Sequence, residues 1–310
     1  MTVAGTPERR NSMDLLAVAT MLFLTMAWGL NAVAGKVAVE GLDPMFLSFL
    51  RAALAGAAVL FWCRHKGIRI FERDGSLWSG LLVGLLFGIE FALIYWGLDL
   101  TSASRANLMT NTMPLFTLLG SHYLLGERAS VLKIVGTVLS FTGVVVVLFD
   151  TLSMPSPAAV YGDLLCIAGG FAWAATAIAI RTTKVGTLAP EKTLLYQLLG
   201  ATLVSAPFLY YSPDLVRQMD WMVFGSLMFQ SFFIVAFTYV IWFWLMARYP
   251  LTGLSAFTFL SPVFGVLFSW LLLGEPLTKG LAGGLALIVA GLILVNSTFR
   301  RSRAFRRSRA

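Results

Sequence analysis

Charge is what this chain has least of. Asp, Glu, Lys and Arg make up 12% of its 310 residues, against 58% that are hydrophobic. A soluble domain of this length needs far more polar surface to cover itself, so a soluble globular fold is excluded. Cysteine is nearly absent: Cys63 and Cys166 lie within or at the end of apolar runs, which indicates no disulfide framework. Histidine is equally scarce, and His65 and His122 stand too far apart to suggest a metal site. The sequence calls for no cofactor. It has no Walker motif and no long polar loop, so an ATP-driven motor would have to sit on another chain. Convergent nucleophiles, paired carboxylates within the apolar runs and Ser–His arrangements are also missing, which argues against an integral-membrane enzyme. A non-transporting sensor or scaffold would be expected to carry a soluble output domain, and none is visible.

What the chain does have is apolar runs of about 20 residues, the length a helix needs to cross a ~30 Å hydrocarbon core. They fall at 14–38, 44–63, 77–98, 102–125, 131–149, 160–180, 191–210, 220–246, 252–273 and 279–298. The expected fold is an all-α integral membrane protein. Its second half also repeats its first at an offset of 148 residues. Trp96 falls on Trp244, Pro114 on Pro262, Phe116 on Phe264 and Ser121 on Ser269. Leu124-Leu125-Gly126-Glu127 falls on Leu272-Leu273-Gly274-Glu275, and Gly136 and Gly143 fall on Gly284 and Gly291. Five spans per repeat is an odd number, so the second repeat is expected upside down: ten transmembrane helices as two inverted five-helix repeats. In a membrane chain such duplication points to a secondary transporter built around a midplane site.

The expected organisation is a lead at 1–13, repeat one at 14–149, an external connector at 150–159, repeat two at 160–298 and a basic tail at 299–310. Residues 9–34 mimic a cleaved signal peptide. Trp28 and Lys36 nevertheless match Trp173 and Arg181 at offset 145, so the first span is expected to be retained. Charge then sets the orientation. With both termini on one side, 18 of the 23 Lys and Arg fall on that side, which makes it cytoplasmic in the plasma (inner) membrane. The Arg-rich tail fits this topogenic role or contact with anionic lipid better than nucleic-acid binding.

Pro114 and Pro262 interrupt equivalent spans. Each removes a backbone hydrogen bond in a medium that cannot replace it, and such paired interruptions point to a binding site or hinge. Asn107, Thr110, Asn111 and Thr112 lie beside the first; Ser255, Thr258 and Ser261 lie beside the second. Asn107 and Asn111 share a helix face, where interhelical hydrogen bonding competes with ligand contact as their role. Trp28, Asn31, Trp173 and Tyr239 lie deep enough to line a cavity, whereas Tyr95, Trp96, Trp242 and Trp244 read as interfacial belt residues. Arg51 and Glu90 each fall roughly 10–14 Å below the outer surface at ~1.5 Å per residue. An Arg51–Glu90 ion pair is expected there. It would serve as a static strut, or Glu90 would exchange a proton, or Arg51 would attract a substrate carboxylate. Lys36 and Arg105 are expected to snorkel at the outer interface. Glu127 and Glu275, shortly before the next helices, are expected to support helix N-termini. Gly80, Gly84 and Gly88 recur at every fourth position, a face for close helix packing within the fold or between copies.

Several of these residues resemble the EamA-like branch of the drug/metabolite transporter superfamily. The likeness is carried by Trp28-Gly29-Leu30-Asn31 with Lys36, Pro44 before Arg51, Ala103 through Pro114-Leu115-Phe116, and Leu124-Leu125-Gly126-Glu127-Arg128 with Gly136 and Gly143. In the second half it is carried by Pro262, Leu272-Leu273-Gly274-Glu275-Pro276, Gly284 and Gly291. The resemblance implies ten helices in two inverted repeats, with alternating access to a central cavity. Many relatives export amino acids or related metabolites and others carry different small molecules; export of amino acids or similar small metabolites, coupled to a proton or a counter-solute, is the expectation for this chain. Glu90 lies outside the family pattern. A carrier of nucleotide-sugars or lipid-linked sugars is the rival within transport, and it predicts more basic cavity residues than Arg51 alone.

Overall fold

The structure is a computed structural model that describes residue 10 and residues 12–72, 74–101, 103–152, 156–274 and 276–307; at 103, 104, 151 and 298–307 it describes the backbone alone. Glu275, Arg73 and Arg9, together with parts of the expected lead and connector, lie outside the described residues. In chain order the helices are α1 (Leu15–Gly41), α2 (Pro44–Lys66), α3 (Leu77–Leu100), α4 (Ala103–Thr110), α5 (Met113–Leu124), α6 (Val131–Leu148) and α7 (Pro157–Thr182). They continue with α8 (Pro190–Ser205), α9 (Trp221–Met228), α10 (Tyr239–Arg248), α11 (Leu251–Phe257), α12 (Ser261–Leu273) and α13 (Leu281–Arg307). Among the described residues there is no strand, only one isolated bridge between Leu42 and Val216.

Among the described residues, eight helical stretches are long and apolar enough to cross a membrane. The fourth expected span does not form a single helix. It breaks into α4 and α5 around Asn111-Thr112 because the Pro114 ring and its missing N–H forbid a continuous ladder. The last helix runs past its apolar part, Leu281–Ser297, into the basic segment.

Helix starts follow local chemistry. The Asp14 carboxylate accepts from the Ala17 amide at 2.9 Å, and Asp43 accepts from Met45 and Phe46 just before Pro44. Ser130, Ser156 and Asp220 cap α6, α7 and α9 in the same way. Each satisfies amides that a helix start leaves without a partner. Further irregularities sit inside apolar stretches, among them a 3₁₀ segment at Ala206–Tyr210 after α8. Phe229–Thr238 between α9 and α10 is wound as a π-helix, and Thr258–Leu260 between α11 and α12 as a 3₁₀ turn placed just before Pro262.

The bundle is assembled from close helix pairs: α3 with α7 and α8, α6 with α13, α2 with α8, and α1 with α12. The face bearing Gly80, Gly84 and Gly88 is spent within the fold, against Tyr196, Gly200 and Val204 of α8. The opposite side of α3 exposes Leu81, Leu82, Leu85 and Ile89, the pattern of a helix whose outside faces lipid. Along the α6–α13 contact a Cβ added at Gly136 would lie 2.6 Å from the Gly291 carbonyl oxygen. One added at Gly143 would lie 2.6 Å from that of Gly284. Between them the Ser140 hydroxyl donates to the Ile288 carbonyl at 3.2 Å.

Two consequences can be measured. Gly84→Ala drives a methyl into the Tyr196 backbone, and overpacking of this kind costs about 1–3 kcal/mol. Its thermal unfolding temperature in detergent is expected to fall, while Gly283→Ala, with no atom within 4 Å of the added carbon, leaves it unchanged. The second concerns acid. Asp74, in the loop before α3, accepts from Lys192 Nζ at 2.6 Å and from the Ser76 amide at 2.9 Å. The Lys192 hydrogen bond first, and Ser76 after it, hold the Asp74 carboxyl well below the usual carboxylate range. A depressed folded value stabilises above the unfolded value of about 3.9 and is lost as pH falls further. Asp74→Asn is therefore expected to lower stability by about 1 kcal/mol at pH 7. Thermal melts should show that gap closing as the buffer is taken below about pH 4.

Candidate functional site

Two adjoining cavities occupy the middle of the bundle. The inner one, about 180 Å³, is walled by α1, α2, α3, α4, α7, α8, α10 and the irregular segments around 111, 234 and 258. The outer one, about 380 Å³, reaches the ends of α1, α3 and α6 through Val39, Leu98 and Leu148. Asn31, Arg51, Phe91, Ile94, Asn107 and Thr110 line both and so mark their junction.

Three places where regular α-helix fails contribute to the inner wall: Asn111 at the α4–α5 break, Ile234 in the π-helix and Thr258 in the 3₁₀ turn. Irregular backbone in an apolar medium is tolerated where it is buried in protein or lines a cavity. At the α4–α5 break the Asn111 side chain donates to the backbone and side-chain oxygens of Asn107, both at 2.8 Å. Pro114 and Pro262 each stand in the first turn of the helix after an interruption. Pro262 lines the outer cavity, whereas Pro114 is buried outside both.

The candidate ligand-contact residues Trp28, Asn31, Asn107, Asn111, Trp173 and Tyr239 are brought together around the inner cavity. Trp28 is fixed there by its indole N–H, which donates to Thr238 Oγ1 at 3.0 Å. Its ring meets Trp242 and Tyr239 edge-on, with centroids 5.6 and 6.4 Å away. Phe87 joins the same cluster through Tyr239 and Phe91. Trp242 and Tyr95 are thus not belt residues. Both are buried, Trp242 in the inner wall and Tyr95 in the outer, while Trp96 is half exposed as expected of a belt. Gln197, Phe87 and Phe91 were not singled out from sequence. Phe87 and Phe91 flank Glu90 at helical spacing and share its cavity, so the helix face of an intramembrane carboxylate was the signal that could have found them. Gln197 had no such marker.

The expected direct ion pair between Arg51 and Glu90 is not formed. Both line the inner cavity, but the Arg51 guanidinium lies over the rings of Phe91 (4.5 Å) and Tyr95 (5.6 Å). The aromatic faces hold the cation away from the carboxylate. Arg105 does not snorkel either: it pairs with buried Asp163 on α7, which also accepts from Thr101 at 2.9 Å. Lys36 borders the outer cavity.

The opposite end of the bundle is tied shut. The Glu127 carboxylate accepts from the Leu251 and Thr252 amides at 2.9 and 3.2 Å, so it caps α11 and not the helix that follows it in sequence. Arg181 sits 3.5 Å from Glu127 and donates to the carbonyls of Met246 and, at 2.7 Å, of Tyr249. The Tyr249 hydroxyl donates to Asp14 at 2.9 Å, and Asp14 also pairs with Arg10. This network joins α1, the α5–α6 turn, α7 and the α10–α11 junction beneath the inner cavity.

Known proteins share this architecture. One solved crystal structure superposes with a TM-score of 0.78 over 92% of this chain and 99% of its own, at 21% identity, which establishes a common fold. A protein of Archaeoglobus fulgidus named "Uncharacterized transporter" is 30% identical over 89% of this chain and 97% of its own length. A Bacillus subtilis protein, "Uncharacterized transporter YoaV", is 24% identical over 91% and 97%. A Salmonella typhimurium protein named "Probable amino-acid metabolite efflux pump" is 27% identical over 92% and 96%. The description "EamA-like transporter family" matches residues 15–149 and again 160–297, nearly the whole length of this helical bundle, and the chain belongs to that family.

Proposed function

We propose that this chain is a secondary active transporter that exports amino acids or similar small metabolites across the plasma (inner) membrane by alternating access. Ten spans in two inverted five-helix repeats, with both termini in the cytoplasm, give the outer cavity to the external side and the Glu127–Arg181–Tyr249 network to the cytoplasmic side. The observation that carries the reading is the asymmetry of the pathway: contiguous cavities reach one end of the bundle and a hydrogen-bonded seal closes the other. A route closed at one end is what one state of an alternating-access cycle requires. Export fits the relatives named as efflux pumps. The aromatic inner wall favours neutral, partly apolar solutes. Pro114 and Pro262, each opening the helix after an interruption, are placed to act as flexing points as the repeats rock.

Counterflow in proteoliposomes is the direct test. Vesicles preloaded in turn with unlabelled amino acids and sugars should show transient, protein-dependent accumulation of the labelled partner for members of one class. A flat panel with folded protein would reject carriage of these solutes. The seal makes its own prediction in a Cys63→Ser, Cys166→Ser background. Ile180→Cys, on the inner wall, should react slowly with an impermeant maleimide supplied from the cytoplasmic side. Adding Glu127→Ala should raise that rate by about tenfold, as a shift of roughly 1.4 kcal/mol between the two states would. An unchanged rate would remove Glu127 from the gate.

A further inference from the structure

The seal beneath the inner cavity is built from residues whose counterparts in the other repeat stand around the outer cavity. Arg181 on α7 donates to the carbonyls of Met246 and Tyr249 at the end of α10. The duplication runs at offset 145 between α1 and α7 and at 148 between α3 and α10, so the counterparts are Lys36, Leu98 and Thr101. The two helix ends have one geometry. α10 stops at Tyr249 in extended backbone (φ −116°, ψ 159°), with its amide donating back to Leu245. α3 stops at Thr101 likewise (φ −125°, ψ 173°), with its amide donating back to Gly97, the counterpart of Leu245. The walls correspond as well: Ile180 and Met246 line the inner cavity beside the seal, while Gly35 and Leu98, their counterparts, line the outer one.

A helix end leaves its last carbonyls without partners inside the helix. At α10 the Arg181 guanidinium supplies the donors, and a cation there also suits the negative end of the helix dipole. The end of α3 borders the outer cavity through Leu98, so water entering that cavity can serve it. Closing the cavity takes the water away, which is costly unless another donor replaces it. Lys36 borders the same cavity from α1, a cation where the other repeat has Arg181. Two other cations near that end are committed elsewhere: Arg105 pairs with Asp163, and Arg217 donates to the Val39 carbonyl at 3.3 Å. We infer that Lys36 is the latch of the outer end: when the outer cavity closes, its ammonium donates to the Leu98 and Thr101 carbonyls, as Arg181 does to those of Met246 and Tyr249 here. This rests on the alternating-access reading and deepens it by naming the contact that holds the opposite state. The latches work in turn, one from each repeat. A carrier with both open would leak, and one with both held shut would stall.

The test uses the full chain in the Cys63→Ser, Cys166→Ser background, with an impermeant maleimide supplied from one side of the membrane at a time. Two probes, each in its own protein, report the two ends: Ile180→Cys from the cytoplasmic side and Val266→Cys, on the outer cavity, from the external side. Glu127→Ala should speed the first probe and slow the second. Adding Lys36→Gln should undo both shifts, bringing the Ile180→Cys rate back down by about tenfold. Lys36→Arg, which keeps the charge and the donors, should leave them in place. A loosened fold would instead speed both probes. Independently, Lys36→Cys and Leu98→Cys should be joined by a short bifunctional thiosulfonate, and the joined protein should react at Ile180→Cys but not at Val266→Cys. Shifts in Glu127→Ala that Lys36→Gln leaves unchanged, or turns into faster reaction at both probes, overturn the assignment of Lys36 and leave alternating access standing. So does a Cys pair that is never joined while the probes move in opposite directions. Probes that move in opposite directions in no variant of the folded protein remove the alternating-access reading, and Lys36 with it.

Discussion

Lipid offers no hydrogen bond to a peptide group, so each amide and carbonyl in the apolar stretches must find its partner inside the protein. That constraint makes the described chain helical and turns every departure from the helix into a place where something else must be present. Four departures stand within the described apolar stretches: the α4–α5 break, the π-helix at Phe229–Thr238, the 3₁₀ turn before Pro262 and the 3₁₀ segment Ala206–Tyr210. The first three converge on one cavity. The site exists because the backbone is irregular there, and the irregularity is tolerable because protein and cavity, not lipid, surround it.

Much of this was legible in the sequence because membrane helices obey a simple rule of length and apolarity. The extents of α1, α2, α3 and α7 follow from it within a few residues. The fourth span was read as one run, because a proline announces an interruption without saying whether the helix bends or breaks. The π-helix left no mark at all: Phe229–Thr238 has the same apolar composition as the α-helical turns on either side of it.

Side-chain partnerships were harder to read than elements. Sequence alone told that Arg51 and Glu90 would need company, since depth and charge suffice for that, whereas Arg105 was expected to reach the interface. It could not tell which company, because the partners come from other helices. Arg105 found Asp163, some fifty-eight positions further along. Arg51 found the faces of Phe91 and Tyr95. Glu127 found the start of α11 in the other half of the chain. The aromatic residues divide for the same reason. Trp242 and Trp244 look alike by position, yet one turns inward to Trp28 and the other carries Arg248 over its ring at 4.4 Å.

The contact between α6 and α13 has a further meaning. Gly136 meets Gly291 and Gly143 meets Gly284, while the duplication pairs Gly136 with Gly284 and Gly143 with Gly291. Ser140 meets Ile288, its own counterpart, at the centre. Each helix therefore presents to the other the surface it receives, as the two sides of an isologous dimer do, although both belong to one chain. Such a seam is self-complementary. A change at one glycine therefore alters one crossing and leaves its symmetry mate intact. A single polypeptide can thus let its two halves drift apart at the cavity while the line along which they touch keeps the geometry of a pair of equals.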